Sequence, residues 1–182
     1  MTTSTFLTFF RLCGSFFLPF LLLYKISDNE IITRGIAVTF FLLLAATDFF
    51  DGYIARKQNT VSEFGAFLDP IADKCLVVVT ILCLVSLQRM HVLFAIPMIC
   101  REILVLSLRQ YAAEQGKKIV VSKQGKIKTA LQCVALAFAI VAPEYGVLLI
   151  IKNTLLFMAT YFSIASFMQY GSLTRELLIQ NF

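Results

Sequence analysis

Four aspartates stand in two short runs of an otherwise apolar chain. The first run is Asp48-Phe-Phe-Asp51-Gly52-Tyr53-Ile54-Ala55-Arg56; the second is Gly65-Ala-Phe-Leu-Asp69-Pro-Ile-Ala-Asp73-Lys74. On a helix, Asp48 and Asp51 at i,i+3 share a face that Gly52 and Ala55 continue, and Gly65, Asp69 and Asp73 stack at i,i+4. Eight residues connect Arg56 to Gly65, so two such helices must be antiparallel neighbours. Asp51 precedes Arg56 by about 7–8 Å of helical rise, and Asp69 follows Gly65 by about 6 Å. All four carboxylates then meet at one shallow level. Four acids in a low dielectric cannot all stay ionised without cations. Oxygen ligands with no Cys or His select hard ions, Mg²⁺ or Mn²⁺, and four carboxylates suit a two-metal site of the kind that serves phosphoryl chemistry. Gly52 and Ala55 keep the face bare for a bulky polar ligand, and Arg56 is placed to grip a phosphate in bidentate fashion. The competing reading is a set of Asp–Lys and Asp–Arg pairs that glue helices together, with Lys74 and Arg101 as partners. Pairing needs one or two acids, not four at matched spacing.

The elements that must carry these residues are membrane helices. Hydrophobic residues make up 59% of the 182 and charged residues 15%, where soluble domains run near 45–50% and about 25%. Mean hydropathy is +0.82. Such a balance excludes a disordered chain, a disulfide-stapled secreted domain and an ordinary soluble enzyme. At roughly 25–30 residues per span and connection, the length fits an all-α, polytopic protein of six transmembrane helices. Residues 1–182 form one membrane domain, with no room for a soluble one. The apolar segments run from about Phe6 to Tyr24, Gly35 to Arg56, Gly65 to Leu87, Val92 to Ala113, Ile127 to Ala142 and Tyr145 to Phe167. The first lacks a small-residue cleavage site and reads as a retained helix. The tail from Gln169 reads as a short interfacial turn or a frayed end.

Net charge is +5, and the basic residues crowd two connectors. Arg56 and Lys57 lie in one; Lys117, Lys118, Lys123, Lys126 and Lys128 lie in the other. Both belong to the same face, which the positive-inside rule makes cytoplasmic. The shallow acidic site then lies near the cytoplasmic face of the cell (inner) membrane, and both termini are cytoplasmic. This distribution explains the basic charge without nucleic acid. The five cysteines, Cys13, Cys75, Cys83, Cys100 and Cys133, lie in apolar stretches and read as small buried residues. His91, beside Arg89 in a polar break, reads as a solvated loop position.

At the aspartates the sequence resembles the CDP-alcohol phosphatidyltransferase family. The family signature D-x-x-D-G-x-x-A-R-x(8)-G-x-x-x-D-x-x-x-D is complete here as Asp48, Asp51, Gly52, Ala55, Arg56, Gly65, Asp69 and Asp73. The resemblance implies a six-helix fold, usually a homodimer. It implies that Asp48, Asp51, Asp69 and Asp73 hold two divalent metals against the CDP diphosphate. It implies further that Gly52, Ala55, Arg56 and Gly65 shape the nucleotide site and that Asp73 is the general base. A second stretch holds Arg101-Glu102-Ile, Arg109, Gly116-Lys117, Ser122 and Gly125-Lys126-Ile-Lys128-Thr129. It resembles the bacterial branch of the family whose acceptor is glycerol 3-phosphate. The likeness runs from about Thr5 to about Ala142. It departs from the family at the start, where Thr5-Phe-Leu-Thr8-Phe-Phe-Arg11 stands for Asn-x-x-Thr-x-x-Arg.

The expected reaction is transfer of the phosphatidyl group of CDP-diacylglycerol to glycerol 3-phosphate. The acyl chains stay in the lipid bilayer. The acceptor phosphate docks on Arg101, Arg109, Ser122, Lys126 and Lys128. Arg101 and Arg109 are two turns apart on one helix face, and a basic stripe beside a metal cluster wants a second anion. Arg109 is nearer the lysine-rich connector; Arg101, about 12 Å deeper, is placed to serve the aspartates or Glu102. The near alternative is a sister enzyme whose acceptor is inositol phosphate, serine or a second phospholipid such as phosphatidylglycerol. The alternative from another class is an ion-coupled transporter. Against it, the acids lie near one face, and paired broken helices at the midplane are absent.

Overall fold

The structure, a computed structural model, describes residues 3–24, 28–58, 63–116 and 123–179, with side chains described at 6–24, 28–47, 68–116, 125 and 127–168. All the secondary structure among them is helical: α1 (Thr3–Leu23), α2 (Glu30–Gln58), α3 (Glu63–Ser86), α4 (Val92–Glu114), α5 (Lys123–Val141) and α6 (Gly146–Ile179). The six expected helices are present. Among the described residues, three windows, Phe6–Leu23, Glu30–Thr47 and Gly146–Met168, are long and apolar enough to cross a membrane. α3 and α4 are apolar helices interrupted by charge: Asp69, Asp73 and Lys74 in one, Arg101, Glu102 and Arg109 in the other. Charges placed there carry a cost that a merely structural span avoids.

The ends follow local chemistry more than apolar length. α2 starts at Glu30, a turn before the apolar run at Gly35, because the Asn29 side chain accepts from the Ile31 amide at 3.0 Å and so caps the helix. An Arg34–Glu30 pair at 2.6 Å then supports the first turn. α4 begins where His91 accepts from the Leu93 amide at 3.3 Å. It ends at Glu114, and two residues on, Gly116 takes a φ of +68°, which is open to glycine without strain. α6 differs from expectation. Its backbone stays helical to Ile179, because nothing after Phe167 is a proline and a helix continues into polar sequence until a breaker stops it. The cysteines also differ: Cys83 is buried, but Cys13 and Cys100 are exposed on their helices, where an apolar thiol suits a lipid-facing surface.

The chain divides into two compact units, Met1–Met90 with Leu136–Pro143, and His91–Ala135 with Glu144–Phe182. In the first, α1 packs on both α2 and α3, and α2 touches α3. Helix α1 is inside-out by the standards of a soluble protein. Thr8, Arg11, Ser15 and Leu18 form its buried stripe, while Phe6, Phe9, Phe10, Phe16, Phe17 and Phe20 are exposed. Water would penalise that exposed aromatic surface, and a bilayer favours it. Gly14 lets α1 approach α2 closely, since a Cβ there would sit 2.6 Å from Leu44 Cδ2. Arg89 is buried, and its guanidinium donates to the carbonyls of Ile140 and Ala142. It thereby caps the C-terminal end of α5.

In the second unit α4 packs on α6, with Met98, Val105, Ala112, Leu156 and Ala159 buried. Lys152, a buried charge within α6, pairs with Glu144 at 2.5 Å just ahead of the helix.

Candidate active site

Of the signature residues, Asp48, Asp51, Gly52, Ala55 and Arg56 lie on the last turns of α2 and Gly65 on the first turn of α3. Their side chains lie outside the described residues, as do Ser122 and the side chain of Lys126. Among the described residues no group of three or more metal-ligating side chains is gathered; two of the four aspartates are not among them.

Asp69 and Asp73 are described, one turn apart on α3, and both are part-exposed. The Asp69 side chain is 40% exposed, and its Oδ1 is held from α1. Thr8 Oγ1 donates to it at 3.2 Å and Arg11 Nη1 at 3.4 Å. Arg11 itself has no exposed surface, and its Nε also donates to Thr47 Oγ1 on α2 at 3.3 Å. The Thr47 hydroxyl proton goes to the Leu44 carbonyl at 2.6 Å, so its lone pairs are the part that receives Arg11. Asp73 Oδ2 pairs with Lys74 Nζ at 2.6 Å. Cations therefore do meet these aspartates. Yet each pairing engages one carboxylate oxygen, and Asp69 Oδ2 and Asp73 Oδ1 accept no hydrogen bond among the described residues.

The second unit brings another charged group together. Arg101 Nη2 donates to Ser166 Oγ at 2.9 Å, tying α4 to α6. Arg101 Nη1 also lies 3.4 Å from Glu102 Oε1, and that same oxygen is in contact with Lys128 Nζ on α5. Arg101, Glu102 and Lys128 are all buried, so neither Arg101 nor Lys128 offers its head group freely to water. Arg109, two turns on, is only part-buried. The anion that both cations share is Glu102, and removing it leaves buried positive charge under-compensated. Glu102→Leu is therefore expected to cost about 3–5 kcal/mol, and the double change with Lys128→Met should recover much of that. Thermal melting of the detergent-solubilised protein checks this; an unchanged midpoint for Glu102→Leu would show that the cluster contributes nothing.

A family profile described as CDP-alcohol phosphatidyltransferase matches residues 1–165. The chain belongs to the CDP-alcohol phosphatidyltransferase family. It is 41% identical over 149 residues to a protein of Shigella flexneri serotype 5b (strain 8401), and 40% identical over 153 residues to one of Escherichia coli (strain K12). Each match covers 79% of this chain and 80% of the relative, and both relatives carry the name CDP-diacylglycerol–glycerol-3-phosphate 3-phosphatidyltransferase.

Phosphatidyltransferases of this family generally depend on divalent metal. The donor set here fits such an ion: it is oxygen-only, and the two described aspartates are part-exposed, each with one oxygen that accepts no hydrogen bond among the described residues. Sequence reasoning assigned no role to Arg11, Thr8, Thr47 or Ser166. The available signal was an arginine in a phenylalanine-rich helix, in register with Thr8 and Ser15.

Proposed function

We propose that this membrane enzyme transfers the phosphatidyl group of CDP-diacylglycerol to sn-glycerol 3-phosphate, giving phosphatidylglycerophosphate and CMP. The observation that carries the reading is 40–41% identity, over four-fifths of the chain, to relatives named for that reaction. Asp48, Asp51, Asp69 and Asp73 would hold two divalent ions, Mg²⁺ or Mn²⁺. Such ions, when bound, would supply positive charge to offset the diphosphate and the charge that develops on the departing CMP. Gly52, Ala55 and Gly65 leave room for the nucleotide, and Arg56 grips its phosphate. Asp73 takes the proton of the acceptor 1-hydroxyl as that oxygen bonds to the phosphatidyl phosphorus and the bond from phosphorus to CMP breaks. Arg109, Ser122 and Lys126 receive the acceptor phosphate. Arg101 and Lys128, held by Glu102, add positive charge for that phosphate. One domain, 1–182, performs the reaction near the cytoplasmic face of the inner membrane, with both termini cytoplasmic and two copies forming a homodimer.

The test is turnover of radiolabelled CDP-diacylglycerol by the purified protein against a panel of acceptors. Glycerol 3-phosphate should be used, and inositol phosphate, serine and phosphatidylglycerol should not. Preference for another member of the panel would overturn the acceptor, and absence of CMP release with every acceptor would overturn the enzyme. Within the same assay, Arg109→Gln should raise the KM for glycerol 3-phosphate far more than that for CDP-diacylglycerol. A lost charge-assisted contact costs about 1.5–3 kcal/mol, or roughly 10- to 150-fold. Equal changes in both KM values would return acceptor recognition to Lys126 and its neighbours.

A further inference from the structure

The stripe of polar residues on α1 is not used by the mechanism above, yet it is thoroughly buried. Thr8, Arg11 and Ser15 are each 1% exposed or less, on a helix whose other faces carry phenylalanine. A buried arginine stabilises a fold less well than apolar packing of the same volume would, and inside a membrane it marks function by default. Its contacts show what it serves. Arg11 reaches Asp69 on α3 and Thr47 on α2, and Thr47 directly precedes Asp48. One guanidinium thus ties together the two helices that bear the acidic signature. The close passage of α1 over α2 at Gly14 and Leu44 holds it at the distance where this reach succeeds.

The contacts on Asp69 are selective. Thr8 and Arg11 both donate to Oδ1, which fixes the rotation of the carboxylate. The opposite oxygen, Oδ2, accepts no hydrogen bond among the described residues, although the side chain is 40% exposed. Ligating carboxylates are commonly held in this way by a hydrogen bond on the oxygen turned from the ion.

We propose that Thr8 and Arg11, supported by Thr47, are positioning residues that hold Asp69 by Oδ1 so that Oδ2 is presented to a divalent cation, and that set the register of α2 against α3. The proposal rests on the metal reading given above. It gives the first helix a part in metal binding, distinct from any contact with the nucleotide.

Mn²⁺ binding to the full-length protein in detergent, followed by electron paramagnetic resonance without substrate, tests it. Thr8→Val preserves shape and removes only the hydroxyl, and Arg11→Lys preserves charge but cannot reach Asp69 and Thr47 together. Each should raise the Mn²⁺ Kd by about 10- to 100-fold, and Thr8→Ser, which keeps the hydroxyl, should bind nearly as the wild type does. A Thr8→Val protein that binds Mn²⁺ with wild-type affinity, whatever its melting temperature, would overturn the proposal. A wild-type protein that takes up no Mn²⁺ would overturn the metal reading itself, and this proposal with it.

Discussion

Asp69→Asn is expected to abolish phosphatidyl transfer while the protein remains folded and inserted. The amide keeps a carbonyl oxygen, so the bonds from Thr8 and Arg11 to Oδ1 can persist and α1 stays anchored to α3. What is lost is the negative charge and the second acceptor oxygen, which an NH₂ group cannot replace at a cation. Metal stabilisation of transition-state charge is worth several kcal/mol, and each 1.4 kcal/mol is tenfold in rate. A fall of about 10³-fold or more follows. Asp48→Asn should do the same on the α2 side. Turnover by the mutants at saturating Mg²⁺, with membrane insertion checked in parallel, is the measurement. Near-wild-type activity in either would remove that aspartate from the metal site and favour the reading in which the acids pair helices.

Asp73→Asn separates the two roles proposed for this carboxylate. In the proposed general-base role it would account for roughly 10²–10⁴-fold of the rate. As one of the four proposed ligands it would also help hold the ions proposed to bind the diphosphate of CDP-diacylglycerol. Its Oδ2 is engaged by Lys74 at 2.6 Å, whereas Oδ1 accepts no hydrogen bond among the described residues and is the oxygen proposed to take the proton. If the base role dominates, CDP-diacylglycerol binding persists in Asp73→Asn while the chemical step falls by that factor. Binding assays without acceptor, set beside single-turnover rates with it, distinguish the two. Loss of lipid-nucleotide binding as large as in Asp48→Asn would reassign Asp73 to ligation alone.

The sequence by itself determined the number of helices, because apolar length is a local property that a bilayer reads directly. It also determined the acidic signature: spacings of three and four residues place Asp48 with Asp51, and Asp69 with Asp73, on any helix, whatever packs against it. Family membership followed from the same residues. Helix ends were less legible where a side chain and not apolarity decides them, as at Asn29 ahead of α2, or where nothing stops the helix, as in α6 beyond Phe167. Only the tertiary structure decided which charge meets which. Lys74 was a foreseeable partner of an aspartate because it adjoins Asp73. Arg11 was not, since it reaches Asp69 across 58 positions of sequence. Arg101 was equally open to the aspartates and to Glu102, and its placement beside Glu102 and Ser166 depends on α6, 65 positions away. Arg89, which the sequence placed only in a polar break, is a buried helix cap. A charge in an apolar chain announces that it needs a partner, but one cation suits any nearby carboxylate or carbonyl. The choice among them belongs to helix packing, which brings distant positions within hydrogen-bond reach and leaves no local trace.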